Sequence, residues 1–346
     1  MDDETPDDNS PQPSRRTFLT GAAGLTGVAL AVGAWKPVFA MEDAPISAAA
    51  SSRQFAAGHI ALTLNETAAG FLSFADGGNA FSDVVNEKLG QDNVVRKHIG
   101  GVKYEDITIT ATTGMSKAFY DWISSSLTSK ASKMSGAIDA TDFNFKIRSE
   151  MSFFNALITE VGFPALDAAS KDAAKMTIKF APESTRISNT PGGTLKSATN
   201  QKVTKWLSSN FKLTLDGVDT SHVTHIDAFA LTFDVSLNSD GNPVGRNLNV
   251  PNMKVRVPVA GAQDFIKWHQ DFVIDGNSGQ EQEKTGSISY LAPGLTTEIF
   301  RLDIGNIGIF ALDYDPLVEG TDSVRQVTVQ LYAETMKFFN VKGSIA

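Results

Sequence analysis

The sequence lacks cysteine altogether. A chain without thiols forms no disulfide, no zinc-thiolate site and no iron-sulfur cluster, and it has no thiol nucleophile. Positive charge is also scarce, since 30 basic side chains stand against 39 acidic ones and give a net charge of −9. With no excess of cations for phosphates, a nucleic-acid partner is disfavoured. Stability then has to come from packing and association.

Familiar catalytic and nucleotide-binding motifs are missing too. The chain contains no H-E-x-x-H, G-x-S-x-G, G-x-x-x-x-G-K-[ST] or G-x-G-x-x-G. The closest histidines, His222 and His225, have an odd spacing that points them to opposite faces of the strand predicted there, whereas ligand pairs on a strand need an even spacing. His269 stands beside Trp268 and is predicted to be packed. We therefore predict no enzyme, no metal site and no cofactor.

Two short acidic segments carry oxygen ligands of the kind that calcium prefers. Neither Asp240-Gly241-Asn242 nor Asp275-Gly276-Asn277 continues into the twelve-residue loop with a terminal glutamate that a calcium loop requires. The first predicts the turn of a β-hairpin and the second the end of a helix. Glu281 and Glu283 lie in a polar stretch, where we expect solvated carboxylates without a role in acid–base chemistry.

The N-terminus carries the pattern of a targeting signal. Ser14-Arg15-Arg16-Thr17-Phe18-Leu19 follows S-R-R-x-F-L, a paired arginine followed directly by apolar residues. Residues 18–34 have no charge but contain four glycines, so they suit a signal h-region better than a permanent membrane span. Val38-Phe39-Ala40 provides small residues at the −3 and −1 positions of a cleavage site.

These features predict a twin-arginine signal peptide over residues 1–40, cleaved between Ala40 and Met41, and an N-terminal extension over residues 41–54. The twin-arginine (Tat) export machinery then becomes a partner of the precursor, and the predicted location is the periplasm or the extracellular space. The lack of cysteine suits this route, because nothing has to be oxidised outside. A short buried helix and an uncleaved membrane anchor are the alternatives for this segment.

A polar segment divides the rest of the chain. Between Ala181 and Lys205 the sequence is rich in Pro, Gly, Ser, Thr and Asn and has few apolar residues to bury. We interpret residues 186–205 as a linker between a first domain, residues 55–185, and a second domain, residues 206–340.

The same order of patterns occurs on both sides of this linker. Each half opens with the alternation of a half-buried strand, at Ile60–Leu64 and at Phe211–Leu215. Next, Val102–Ile109 predicts one strand whose change of phase indicates a bulge. Its counterpart, Met253–Val259, alternates strictly, and Pro258 ends that strand or places it on an edge.

Both halves then change to helical spacing. Phe119 and Trp122 in the first half share the spacing F-x-x-W with Phe265 and Trp268, 146 residues further on. We expect these four side chains to form the core of each repeat. The other residues on the two predicted helix faces are Met115, Ile123 and Leu127, and His269, Phe272 and Val273.

Further matches keep a nearly constant offset. Three pairs of segments lie 150 or 151 residues apart: Gly136–Ile138 with Gly286–Ile288, Leu166 with Leu317, and Met176–Phe180 with Val327–Leu331. A shared order of features at one period across a whole half-chain predicts a tandem duplication.

The segment Lys97–Ile109, K-H-I-G-G-V-K-Y-E-D-I-T-I, followed by the helix with Trp122 and a β-rich tail ending at Phe180, resembles the tail tube proteins of contractile-tailed phages. In that family a PG-x-x-K-Y-x-x-I-T-L strand precedes a helix with a tryptophan near its middle. Gly100-Gly101 stands here where the family usually has Pro-Gly. The second half follows the order of elements but keeps less of the motif.

The resemblance implies a mainly β fold with one helix per domain: two tandem β-barrel or sandwich domains, related to the hemolysin-coregulated tube protein of type VI secretion. Domains of this family associate side by side into six-membered rings that stack into tubes. A tandem chain would then give a trimer with pseudo-sixfold symmetry, with other tail-like components as further partners. The alternative is an exported adaptor or binding module that anchors a partner without forming tubes.

Overall fold

We describe the protein from a computed structural model, which describes residues 57–88, 94–128, 132–189, 192–195, 206–237, 239, 243–320 and 324–340. Those residues belong to one compact unit, Gln54–Ala346. The signal motif at Ser14–Leu19, the cleavage site at Ala40 and Met41, and the turn Asp240–Asn242 lie outside the described residues. Within the described part of the chain, no helix has the length and apolar character needed to cross a membrane.

The described elements are mostly strands. Those of the first half are β1 (His59–Leu64), β2 (Thr67–Gly77), β3 (Ala80–Glu87), β4 (Arg96–Tyr104), β5 (Ile107–Ala111), β6 (Met134–Thr141), β7 (Ile147–Phe163), β8 (Leu166–Asp167), β9 (Met176–Ala181) and β10 (Ser184–Ser188). Those of the second half are β11 (Phe211–Leu215), β12 (His225–Ile226), β13 (Phe229–Leu237), β14 (Pro243–Asn249), β15 (Met253–Pro258), β16 (Lys284–Leu291), β17 (Glu298–Tyr314) and β18 (Gln326–Asn340). Helix α1 (Lys117–Thr128) lies in the first half and α2 (Gln263–His269) in the second.

Six strands of the first half close into a barrel. Their order is β7-β6-β1-β2-β5-β9, and β9 pairs back with β7. The alternation of apolar residues explains the closure: in β9 the side chains of Met176, Ile178 and Phe180 are buried and those between them are not. The fold is mainly β, as the sequence pattern predicts.

Strands of the second half, with β8 of the first half at one end, form a more open sheet in the order β11-β16-β17-β18-β15-β12-β8. Among the described residues no pairing joins β11 to β12 or β8. Strand β15 ends at Pro258 and pairs with β18 on one side and β12 on the other, so Pro258 ends the strand and does not mark an edge. Val259, predicted as a strand residue, begins a 3₁₀ turn after Pro258, and its amide donates a hydrogen bond of 3.0 Å to the carbonyl of Arg325.

The strand registers of the two halves coincide. Leu64 pairs with Gly136, and Leu215 pairs with Gly286. The residues of the second pair thus lie 151 and 150 residues after those of the first, as in the sequence matches. The β7–β9 ladder is interrupted between Ile158 and Glu160, and the β17–β18 ladder between Ile309 and Ala311, again at that offset. Strands β5 and β15 are offset by 146 residues, the offset that also separates the two F-x-x-W motifs.

Both predicted helices are present, with one difference on the second. In α1 the buried side includes Phe119, Trp122, Ile123 and Leu127. Helix α2 passes directly into a π-helical turn, Gln270–Ile274, before Gly276 ends the run with a positive φ of 76°. The wider turn changes the direction of the side chains within it, so Val273 is exposed instead of packed as predicted.

The predicted strand over Val102–Ile109 is in fact two strands in different sheets, so the expected bulge was wrong. Strand β4 ends at Tyr104 and pairs only with β3 among the described strands, in a separate two-stranded hairpin. Strand β5 begins at Ile107 within the barrel. Val102 is exposed, and the change of phase marks the point where the chain leaves the hairpin and enters the core.

Strands of the two halves are shared between the sheets. Strand β13 pairs with β7 of the first half, and β12 pairs with β8. Buried side chains of both halves form one continuous hydrophobic cluster. Strand β10 pairs with β7 and reaches Ser188, so the first residues of the segment predicted as a linker are part of the sheet.

The predicted match between Leu166 and Leu317 does not hold in the structure. Leu166 is fully buried because β8 pairs with β12, opposite Ile226. Leu317 follows the end of β17 in a loop and is 83% exposed. The sequence offset alone could not separate a strand residue from a loop residue.

Candidate assembly surfaces

The two halves meet through paired strand edges. Phe229–Thr232 of β13 pairs antiparallel with Glu160–Phe163 of β7, so the β13–β14 hairpin extends the sheet of the first half. Phe163 and Phe229 stack at this junction with ring centroids 5.2 Å apart. The pairing covers a sheet edge that would otherwise be open to another chain.

A series of aromatic contacts crosses the same junction. The ring of Phe163 lies 6.0 Å from that of Tyr290, and Tyr290 stacks on Phe300 at 4.3 Å. Phe300 lies 5.3 Å from Phe338 of β18, which stacks on Tyr120 of α1 at 6.0 Å. Large buried rings contribute strongly to packing, so the halves are joined by a core and not only by strand pairing.

Helix α1 lies between the barrel and the second half. The hydroxyl of Ser124 donates a hydrogen bond of 3.1 Å to the carbonyl of Phe338. Tyr120 is buried, and this burial raises its pKa to about 12. The side of α1 that faces away from its own barrel is therefore covered by β18.

The strand that corresponds to β7 in the second half has an open edge. Ala311–Tyr314 of β17 takes the place of Glu160–Phe163 of β7, because the two segments follow the equivalent ladder interruptions. It pairs with β18 on one side, and no described strand pairs with the other. Phe310 and Tyr314 are 39% and 43% exposed. This edge lacks the hairpin that covers β7.

Helix α2 likewise lacks the cover that α1 has. When the two F-x-x-W motifs are aligned, Ile266 takes the place of Tyr120 and Gln270 that of Ser124. Ile266 is half-buried and Gln270 is exposed. In the π-helical turn that follows, Ile274 is exposed. Half-buried Ile266 and exposed Ile274 thus lie on the surface of the second half, on either side of Gln270, where the first half has a covered helix.

The β3–β4 hairpin presents the largest group of exposed apolar side chains in the described first half. Val84 and Ile99, which stand opposite each other across the two strands, are 60% and 75% exposed. Phe81 and Val102 are exposed as well. A hairpin of two strands without a core of its own is marginally stable in water. The hairpin therefore has the features of an arm that packs on another surface.

The second sheet carries an ion-pair network around Arg301. The Arg301 guanidinium donates to Asp303 at 2.6 Å and to Glu298 at 3.4 Å. Arg301 pairs across the sheet with Ser289, and the equivalent pair in the first half is Glu150 with Asp139. Two carboxylates thus face each other where the second half has a serine and an arginine.

Asp139 is predicted to make the stability of the first barrel depend on pH. Burial, together with the charge of Glu150, raises the Asp139 pKa from 3.8 to about 6. A raised folded-state pKa means that the contribution of Asp139 is complete below about pH 4 and is lost as pH rises through about 6. Asp139→Asn should therefore raise stability by about 1 to 2 kcal/mol at about pH 8, after allowing for partial solvent screening, and by nothing below about pH 4.

The measurement is thermal or denaturant unfolding of both proteins at a series of pH values from acid to mildly alkaline. Ser149→Ala is the matched control, because Ser149 lies next to Glu150 on β7 and opposite Ala140, outside the carboxylate pair. It should change the stability by the same amount at every pH. An Asp139→Asn advantage that is likewise constant with pH would contradict the assignment.

Most of the residues singled out from the sequence lie in the core or in turns. Phe119, Trp122, Phe265 and Trp268 are all buried. The Trp122 indole donates to the carbonyl of Ser132 at 3.0 Å, and Lys284 stands 5.2 Å above the ring of Trp268. These side chains hold the helices against the sheets.

The histidines do not form a metal site in the part of the chain that the structure describes. His225 of β12 lies 3.1 Å from Asp227 and 3.6 Å from Asp167, whereas the side chain of His222 lies against Gly261. Among the described residues no group of three or more histidine, aspartate or glutamate side chains is arranged to hold a metal ion. His269 is half-buried beside Trp268.

Glu283 differs from the solvated carboxylate expected for its segment. It is partly buried, and its Oε1 accepts a hydrogen bond of 2.7 Å from the Tyr332 hydroxyl. Burial and this bond raise the Tyr332 pKa to about 12. Glu281 is exposed, as expected. The tyrosine comes from β18, so nothing in the sequence around Glu283 indicates the contact.

Sequence reasoning missed the residues that join the halves. Phe163 and Phe229 stand at strand ends, and nothing local shows that their strands pair. The β3–β4 arm was also missed, although Val84 and Val85 break the polar pattern around them. Apolar residues without a clean alternation were the available signal.

Comparison with known proteins identifies one segment of the chain. Residues 65–186 match the model of the family described as T4-like virus tail tube protein gp19. The resemblance predicted from Lys97–Ile109 is confirmed for this segment. No curated protein matches the chain.

Solved structures are similar to a part of the chain. The anti-feeding prophage cap (AFP tube terminating cap) is 20% identical, covering 39% of this chain and 91% of that chain, with a TM-score of 0.35. The sheath-tube complex of an extracellular contractile injection system, PVC, is 18% identical, covering 40% and 94%, with a TM-score of 0.35. The PVC sheath/tube terminator is 19% identical, covering 40% and 99%, with a TM-score of 0.36.

Proposed function

We propose that this chain is an exported structural protein of the tail tube type, which associates with copies of itself into rings. The observation that carries the proposal is the junction inside the chain, where the β13–β14 hairpin extends the sheet of the first half. The match of residues 65–186 to a tail tube family supports it. The protein acts by assembly, with no reaction and no cofactor.

The two halves are proposed to be copies of one module. The equal registers of β1–β6 and β11–β16, and the equivalent ladder interruptions in β7 and β17, support a duplication. Each module covers the edge of its neighbour. Six modules from three chains would then close a ring with pseudo-sixfold symmetry, because a head-to-tail contact that repeats by a fixed rotation closes when the rotation divides the circle.

Negative-stain microscopy of the mature protein tests this function, together with the mass in solution from light scattering. Rings of uniform width, with the mass of three chains, are the expected result. Single particles with the mass of one chain at every concentration would contradict assembly and favour an exported adaptor that keeps the fold as a scaffold.

Export is proposed to follow the twin-arginine route, because the S-R-R-x-F-L pattern precedes an uncharged segment of moderate hydrophobicity. Changing Arg15 and Arg16 together to alanine should abolish export and leave the precursor inside the cell. Cell fractionation with immunoblotting measures the mature and precursor forms. A precursor lacking both arginines that is still exported and processed would refute the route.

A further inference from the structure

We propose that the β3–β4 hairpin of one copy pairs with the open edge of β17 in the next copy, while β10 of the first copy packs against α2 of the second. This inference rests on the proposed ring function and assigns the surfaces that form its contacts between chains. The partner is a second copy of this chain, and the contact is head to tail.

The place of the contact follows from the junction inside the chain. Ala311–Tyr314 occupies the position in β17 that Glu160–Phe163 occupies in β7, and the latter is covered by β13. The equivalent strand segment is therefore covered by a described strand in the first half and has no described strand on that side in the second half. An open strand edge with exposed Phe310 and Tyr314 is suited to pairing with another chain.

The identity of the partner strand follows from the two hairpins, β3–β4 and β13–β14. The β3–β4 hairpin leads directly into β5, which pairs with β9. The β13–β14 hairpin leads directly into β15, which pairs with β18. Phe81 pairs with Lys103 in the first hairpin, and Thr232 pairs with Asn249 in the second. Phe81 and Thr232 lie 151 residues apart, and Lys103 and Asn249 lie 146 apart, the two offsets found elsewhere between the halves. Phe81 thus corresponds to Thr232, and β3 is the strand expected at the open edge.

A second contact supports the same arrangement. Ile187 of β10 takes the place of Phe338 of β18. Ile187 pairs with Met151 of β7, and Phe338 pairs with Leu302 of β17. Met151 and Leu302 are equivalent positions of the two halves. Phe338 packs on Tyr120 of α1, whose counterpart on α2 is Ile266. Ile187 is exposed, as a residue that contacts another chain would be in a single copy.

The contact between chains is less apolar than the junction inside the chain. Ala140 and Ser149 stand in the first half where Tyr290 and Phe300 contribute rings to the junction. Fewer large rings at the contact mean less buried apolar area. Dilution should separate chains from one another while each chain keeps its own halves joined.

Cross-linking of engineered cysteines tests the assignment, because the natural chain has none. A variant with both Phe81→Cys and Ala311→Cys is treated with a short bis-maleimide and run on a denaturing gel. We expect a ladder of covalent species that ends at three chains. Each single variant should give no ladder, whereas mixing the two single variants should give covalent dimers.

The matched control is Glu160→Cys with Thr232→Cys, at positions that pair directly within one chain. It should cross-link internally, which shifts the mobility of a single chain and shows that the reagent spans a strand pair. Rings in the microscope without cross-linking of the Phe81 and Ala311 variant would overturn the assigned contact and leave the ring function standing. A lack of both rings and cross-links would overturn both.

Discussion

Val84→Lys combined with Ile99→Glu is expected to leave a folded protein that no longer assembles. Both side chains are more than half exposed, so their replacement removes little buried area from the single chain. They stand opposite each other in the β3–β4 hairpin, and opposite charges at such a pair keep the strands together. The new charges would have to be desolvated in a contact with another chain, which is unfavourable.

Light scattering after size exclusion measures the result as a change from three chains to one. The free energy of unfolding of the diluted variant should stay within about 0.5 kcal/mol of the parent, as for other surface changes. Phe143→Lys is the matched control, because it removes an exposed ring in the turn before β7, outside the proposed contact. Persistent rings in the double variant would show that Val84 and Ile99 lie outside the contact, whereas the Phe81 and Ala311 cross-link tests the paired segment itself.

Gly136→Ala and Gly286→Ala are each expected to destabilise the protein strongly. An added Cβ at Gly136 would lie 2.1 Å from the carbonyl oxygen of Thr63, and one at Gly286 would lie 2.3 Å from that of Thr214. The clash is with backbone of the paired strand, which cannot move aside as a flexible side chain can. Overpacking of this kind costs about 1 to 3 kcal/mol or more.

Denaturant unfolding of the diluted protein gives the free energies for both variants. Gly101→Ala is the control, because a Cβ there meets nothing within 4 Å. It should change the free energy of unfolding by less than about 0.5 kcal/mol. Equal stability of Gly136→Ala and Gly101→Ala would show that the two strands are further apart than described.

The sequence predicted elements with a strong period and missed those defined by distant partners. The alternation in β9 and β15 and the F-x-x-W spacing of the helices are local, so these elements were placed correctly. Pairing of β13 with β7 joins residues far apart in the chain, and no local pattern encodes it. For the same reason Val102–Tyr104, the end of β4, was predicted to continue into the strand at Ile107, and the rest of the hairpin was missed.

The proposed assembly surfaces are apparent only when the two halves are compared in three dimensions. The constant offset was visible in the sequence, but it did not show which copy of an edge is covered. Strand pairing shows that Glu160–Phe163 has a described neighbour on both sides and Ala311–Tyr314 on one. The difference between equivalent positions is therefore the feature that carries functional information.

Strand β18, near the end of the chain, has a consequence for synthesis. It lies between β17 and β15 and also covers α1 of the first half, so neither half has its complete set of neighbours until β18 has been made. The first half emerging from the ribosome would keep α1 uncovered until β18 has been made. The packing of the first half is therefore completed only once synthesis has passed through β18.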